Sequence, residues 1–295
     1  MTTTLHAHDT REPEAARPCP ACGGLMIERR PNHVLCPGCG HRRSDLELDL
    51  SRPSPLDDEG LKDTLRTQRR REHDALLDAV AARHAPLRVL DVGCATGEFL
   101  NACRARGFEA VGVEPDPRHA ERARREGHEV IEALFQDLPE EVGRFDLITF
   151  NDVLEHIGDV RGTLARVPRL LTDGGLLAVT VPNANGAFFK FASGLAHMGA
   201  DGPMQRLWQS QFPSPHAHYF TPGSLDRIGA QVGLRQVWAA ERLPVAAEGL
   251  WRRIRADHSA GLLYSAAVWL GVRMSLPVLE RLPKDICVHL FEPAA

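Results

Sequence analysis

The feature that most constrains this chain is a repeated alternation of short apolar runs with stretches of helical spacing. Residues 87–92 (Leu-Arg-Val-Leu-Asp-Val) form an apolar run closed by Gly93, and a helical pattern runs from Gly97 to Arg106. Further strands are expected at 109–113, 129–131, 145–150 and 176–181, with helices at 117–126 and 160–171 and a turn at Asp173-Gly174-Gly175. Parallel strands need crossover connections, so this rhythm implies a parallel sheet covered by helices on both faces. After Pro182 the rhythm breaks. Residues 183–220 are long and mixed, with Phe188, Phe189, Phe191, Met198, Met204, Trp208 and Phe212. A helix at 222–232 and a strand at 234–240 resume it; 242–284 is a second, mostly helical insertion, and 286–291 a last strand.

With 295 residues, 43% hydrophobic and 25% charged, the chain can hold one large α/β domain and a small appendage. The expected segments are a disordered tail (1–17), a cysteine module (18–43), a linker with Ser-Arg-Pro-Ser-Pro (44–60), the α/β domain (61–241), the helical insertion (242–284) and a final strand (285–295). A net charge of −4 argues against DNA and against a broad nucleic-acid surface. Arg69-Arg70-Arg71 reads as a solvated helix face or as part of a local basic patch. Residues 1–17 have no apolar core of a signal peptide, and the apolar run 261–272 is too short to span a bilayer, so a cytoplasmic location is expected.

Cys19-Pro-Ala-Cys22-Gly and Cys36-Pro-Gly-Cys39-Gly are paired knuckles with thirteen residues between them. Each lets two thiolates converge on one ion, and four thiolates make a closed structural Zn2+ site. A module this small has too little core to fold alone, so the metal supplies most of its stability. His33 and His41 lie nearby, but four cysteines already saturate the ion, so surface or packing roles are expected for them. Cys94, Cys103 and Cys287 are expected as buried small hydrophobes.

At the end of the first α/β strand, Asp91 precedes Gly93, Ala95 and Gly97, small residues that let the backbone approach a ligand. Alone, that turn is shared with dinucleotide-binding proteins. The second strand ends in Gly112-Val113-Glu114-Pro115-Asp116, which offers a carboxylate to a ribose diol. These motifs, the run from Phe145 to His156, and Leu170-Leu-Thr-Asp-Gly-Gly175 resemble, in order, a class I S-adenosylmethionine-dependent methyltransferase over about residues 61–240. The resemblance implies a Rossmann-like, doubly wound, mostly parallel seven-stranded sheet, with the zinc ribbon before it. It also implies S-adenosylmethionine as cofactor. Asp91, Gly93 and Gly97 would surround its methionine end, Glu114 its ribose, and Phe135, Gln136 or Asp137 its adenine, with Cys94, Ala95, Pro115 and Asn151 also at the cofactor. Ala95 stands where many members have Gly.

Asp152, Glu155 and His156 follow the fourth strand, and a helical turn would put all three on one side. The segment resembles the Glu-X-X-Glu-His element of quinone-biosynthesis O-methyltransferases, which is associated with a divalent cation such as Mg2+. Three readings stay open: a metal site, His156 as general base, or a helix buttress. His216, His218 and Tyr219 form a second cluster before an N-cap at Thr221-Pro222; similar methyltransferases often carry a His-aromatic pair here near the active-site mouth, so His218 reads as a candidate catalytic or substrate contact or as local packing. Residues 187–212 suggest an apolar lid, and 250–282, with Arg252, Arg253, Arg255, Arg273 and Arg281, suggest a helix on an anionic membrane surface, a cap on the sheet or a homodimer contact. The expected acceptor is a small or lipid-linked metabolite: a quinone precursor, a glycan or an envelope component. An RNA methyltransferase, with Arg29, Arg30, Arg42 and Arg43 on the ribbon, and a non-catalytic cofactor-binding module are the competing classes.

Overall fold

The computed structural model describes residues 17–46, 49, 58–245, 247–255 and 261–294. The expected tail up to residue 16 and most of the expected linker lie outside the described residues.

The cysteine module contributes β1 (Ile27–Arg30), β2 (His33–Leu35) and β3 (Arg42–Ser44), and α1 (Asp58–Ala81) leads into the α/β domain. There follow β4 (Arg88–Val92), α2 (Glu98–Ala105), β5 (Glu109–Val113), α3 (Pro117–Arg125), β6 (Glu129–Ile131), β7 (Phe145–Asn151), α4 (Val160–Leu170) and β8 (Leu171–Pro182). The first insertion carries α5 (Ala187–His197), α6 (Gly202–Leu207) and β9 (His218–Tyr219). The chain closes with α7 (Pro222–Gln231), β10 (Leu234–Arg242), α8 (Leu250–Arg255), α9 (Leu262–Leu279) and β11 (Ile286–Pro293).

The main sheet has the order β10-β11-β8-β7-β4-β5-β6. β4 to β8 are mutually parallel, and β11 lies antiparallel between β8 and β10. Successive residues of a strand face opposite sides. Thus Val89 and Leu147 pack with Leu76, Leu77 and Phe99 on one face, while Leu90 and Ile148 pack with Leu164, Val167 and Ile228 on the other. Helices therefore cover both faces, as the alternation of the sequence requires. β8 starts five residues before the expected strand. Leu171 pairs with Phe145 and Leu176 with Leu147, so the expected Asp173-Gly174-Gly175 turn is an irregularity inside the ladder, with Gly174 at φ +77.

Two joins were not visible in the local pattern. β3 pairs with β9, Arg42 opposite Tyr219 and Arg43 opposite His218, so the cysteine module extends a small sheet that includes the first insertion. The insertion also forms a core of its own around Phe189, Ala192, Met204, Trp208 and Tyr219. It is a packed wall at the carboxyl end of the main sheet, with only Phe191 and Met198 of its large apolar side chains strongly exposed.

Candidate functional site

At the carboxyl ends of the parallel strands lies a cavity of about 1870 Å³. One wall is Gly93, Glu114, Phe135, Asp152 and His156; the insertion supplies Gln209, Phe212 and Pro213; the cysteine module supplies Arg43, Ser44 and Asp45. This is where ligands bind in open α/β sheets, because the loops there diverge to either side.

The turn after β4 is shaped by its small residues. Gly93 sits at φ +70, and a Cβ on it would lie 2.5 Å from Val153 Cγ2. Its N–H donates to the Val113 carbonyl at 2.7 Å. Ala95 adopts φ +46, and its N–H donates to Glu114 Oε2 at 2.9 Å, while the Asp116 N–H donates to Glu114 Oε1 at 2.9 Å. Two loops thus hold the Glu114 carboxylate at the cavity wall. Asp91 lies beneath the floor, accepting from Thr149 Oγ1 at 2.6 Å and Asn151 Nδ2 at 3.3 Å. Burial outweighs those two donors and pushes its pKa up to about 7.

Of the residues expected at the cofactor, Gly93, Glu114, Pro115, Phe135 and Gln136 line the cavity; Asp91, Cys94, Ala95, Gly97, Asn151 and Asp137 do not. Asp91 and Asn151 are the polar support under the floor, and Ala95 and Gly97 shape the turn. Cys94 packs on β5, where a Cβ on Gly112 would come 2.4 Å from its sulfur. Asp137 is exposed on the 3-10 turn whose Phe135 faces inward.

After β7 the expected single-sided cluster divides. Asp152 takes φ +55 and is exposed in the cavity, and only Leu154–His156 form a helical turn, of the 3-10 kind. The left-handed residue breaks the spacing that would have stacked Asp152 over Glu155. Glu155 is buried, its Oε2 has no hydrogen-bond partner among the described residues, and burial first, then Asp152, holds its carboxyl well above the usual range. His156 lines the cavity with Nδ1 2.9 Å from the Pro215 carbonyl. A carbonyl only accepts, so the proton sits on Nδ1 and Nε2 keeps its lone pair. Burial lowers the pKa of His156, favouring the neutral ring.

His218 does not reach the cavity lining. Its Nε2 donates to the Gly158 carbonyl at 3.2 Å, leaving Nδ1 to accept from His41 Nε2 at 3.0 Å. It is a buried strut between the cysteine module and the loop before α4, with both nitrogens committed. His216, two residues before it, joins Glu155 and His156 instead: one ligand atom of each lies within 4.8 Å of the others. Two imidazoles and one carboxylate differ from the all-oxygen shell of Mg2+, and Asp152, expected in that set, is not in it.

In the module the four cysteine sulfurs lie within 4.8 Å of one another, Cys19 to Cys39 at 3.5 Å and Cys22 to Cys36 at 3.3 Å. Those spacings are close to the ~3.8 Å edge of a tetrahedron with Zn–S bonds of ~2.3 Å, and far from a disulfide of ~2.05 Å. The residues present therefore fit a zinc ion held by four thiolates. His41 is packed against Phe220 and His33 against Trp208, neither as a ligand.

Local sequence had no signal for Arg43, Ser44 and Asp45 at the cavity. They reach it through the β3–β9 pairing, between residues more than 170 positions apart.

The family described as a methyltransferase domain matches residues 65–239. An uncharacterized methyltransferase of Mycobacterium sp. (strain KMS) is 34% identical over 155 residues, 52% of this chain and 60% of the relative. A ubiquinone biosynthesis O-methyltransferase of Bradyrhizobium sp. (strain ORS 278) is 30% identical over 146 residues, 48% of this chain and 55% of the relative. The matched region thus spans less than two thirds of either relative. Among solved structures, the cyclopropane synthase MmaA2 from Mycobacterium tuberculosis superposes with TM-score 0.53 at 16% identity, covering 74% of this chain and 83% of its own. A Haemonchus contortus N-methyltransferase, solved with phosphomonomethylethanolamine and S-adenosylhomocysteine, gives 0.54 at 16% identity, covering 76% and 53%. Those likenesses are of fold. Together with the glycine turn, the Glu114 carboxylate and the sheet order, the family match leads to one conclusion: the chain belongs to the methyltransferase-domain family.

Proposed function

We propose that the chain binds S-adenosylmethionine along Gly93, Glu114 and Phe135 and transfers its methyl group to a hydroxyl of a small or lipid-linked acceptor, with a structural zinc ion in the four-cysteine module. The observation that carries the hydroxyl reading is His156: a cavity-lining imidazole held by Pro215 in the tautomer that can take a proton at Nε2. When bound, the cofactor supplies an electrophilic methyl carbon on a sulfonium. With cofactor and acceptor in place, the methyl carbon would exchange its bond to sulfur for one to the acceptor oxygen, leaving the electron pair on a neutral thioether. His156 Nε2 would take the hydroxyl proton. The protein's further tasks are alignment and exclusion of water, for which Phe212 and Val153 line the cavity.

Two features support a metabolite over RNA. The cavity, at 1870 Å³, exceeds the ~300–1,000 Å³ of a single small-molecule site, leaving room for cofactor and a sizeable acceptor. Of the four ribbon arginines, Arg30 pairs with Asp201, Arg42 lies 4.9 Å over the Phe189 ring, and Arg43 lines the cavity. Only Arg29 is left as an exposed side chain on the ribbon face, too little for a phosphate backbone.

The test is transfer of labelled methyl into a metabolite and lipid extract by the zinc-loaded chain, beside His156→Gln. Label should enter an alkali-stable methyl ether, and the variant should be slower by roughly 10²–10⁴-fold. Equal rates from both proteins would remove the hydroxyl mechanism. Failure of S-adenosylmethionine to bind in calorimetry would remove the whole reading.

A further inference from the structure

Helix α9 is apolar on both of its sides. Its covered stripe is Val268, Trp269, Val272, Leu276 and Leu279 with two serines, of which Ser265 is the one fully buried residue of the helix and receives Arg255 Nη1 at 3.4 Å. The outward side carries Leu262, Leu263, Leu270, Met274 and Val278, with Leu263 88% and Met274 71% exposed. A helix on a surface that faces water carries polar and charged residues on that outward side. The helix lies within the expected amphipathic segment up to Leu282 and has a mean hydropathy of 1.5 over its 18 residues. Its single charge, Arg273, is exposed and lies 5.7 Å over the Trp269 ring, while Trp251 of α8 meets Trp269 edge-on at 6.4 Å.

The charge around this apolar side is mainly of one sign. Residues 250–285 hold six basic and three acidic side chains, a local net of +3 in a chain of net −4. We propose that the α8–α9 hairpin docks the protein on an anionic lipid bilayer. Leu263, Leu270, Met274 and Val278 enter the acyl boundary, and Arg252, Arg281 and Lys284 stay at the phosphates. Aromatic and basic residues beside an apolar helix face are the chemistry of that interface.

The helix lies in the surface and does not cross. Eighteen residues reach ~27 Å, close to the ~30 Å hydrocarbon core. However, only residues 280–285 separate α9 from β11, and six extended residues reach ~20 Å, too short to come back across. Both ends of the insertion are also tied together, because Arg242 pairs with Ile286. Ile286 in turn pairs with Pro182 at the carboxyl end of β8, so the hairpin leaves the sheet at the end that carries Gly93 and Asp152. Docking there brings the cavity end of the sheet toward the lipid. The proposal stands on the hairpin alone and does not depend on the identity of the methyl acceptor.

Flotation of the full zinc-loaded chain with vesicles of equimolar phosphatidylglycerol and phosphatidylcholine tests it, beside vesicles of phosphatidylcholine alone. The chain should float with the anionic vesicles, and its tryptophan emission should move to shorter wavelength. The combined variant Leu263→Glu, Leu270→Glu, Met274→Glu should lose roughly tenfold or more of that binding. Unchanged zinc content and thermal unfolding would show that this variant is folded. Equal flotation of variant and wild type overturns the proposal, as does equal binding to phosphatidylcholine alone. So does a wild-type dimer in sedimentation that the variant converts to monomer without any vesicle binding, since the apolar face then belongs to a second copy of the chain.

Discussion

Replacing His218 by phenylalanine removes both side-chain hydrogen bonds at the seam between the cysteine module and the α/β domain. The new ring is larger, so no cavity is left and any overpacking adds to the loss. Gly158 is exposed and its carbonyl can turn to water. His41 has no such recourse: it is fully buried, its Nδ1 already lacks a partner among the described residues, and the variant takes away the acceptor of its Nε2–H. Leaving one buried donor unsatisfied costs ~1–3 kcal/mol. For a chain of this size that lowers the melting temperature by roughly 2–10 °C. The loss falls where β3 and β9 meet in only two residue pairs, so zinc release to a chromophoric chelator should quicken as well. A pH series adds an independent readout. Burial lowers the pKa of His218 to about 4, so between there and the unfolded value of 6.5 the unfolded chain binds the extra proton. Wild-type stability therefore rises with pH across that window and is lost as pH falls through it. The phenylalanine variant should lack about 1.4 kcal/mol per pH unit of that slope. A variant that melts within about 1 °C of wild type and releases zinc at the same rate would refute the strut.

Two further outcomes follow from the cavity. Gly93→Ala must place a Cβ 2.5 Å from Val153 Cγ2 at φ +70, so calorimetry should show cofactor affinity reduced by at least roughly tenfold while far-ultraviolet circular dichroism is unchanged. The acid limb of kcat/KM should lie below pH 6.5, because burial lowers the pKa of His156 and the neutral base survives into more acidic solution; a limb above 6.5 would contradict that environment.

The central strands of the main sheet were legible because they are buried on both faces and bounded by turn residues. β5 and β6 lie where the apolar runs put them, and the others differ by a few residues at their ends. The cofactor turn was legible because it is local: Gly93, Gly97 and Glu114 are tied to strand ends that the pattern itself locates. Periodicity failed at Asp152, where one left-handed residue turned an expected helical face into two directions, Asp152 into the cavity and Glu155 into the core. Sequence also left His218 open between a substrate contact and local packing. An imidazole near an active site reads the same in sequence whether its nitrogens face substrate or, as here, His41 and Gly158.

By itself, then, the amino-acid sequence determined the alternating α/β architecture, the glycine turn with the Glu114 carboxylate beside it, and the four converging cysteines. Each is a short-range pattern whose geometry follows from backbone sterics or ligand spacing. Tertiary structure decided what those parts do together. The long-range β3–β9 pairing makes the cysteine module a wall of the cavity, and the Pro215 carbonyl selects the proton position on His156. The packing of Ser265 inward leaves Leu262, Leu263 and Leu270 of α9 facing out. Those outcomes depend on which distant surfaces meet, and no periodicity along the chain records that.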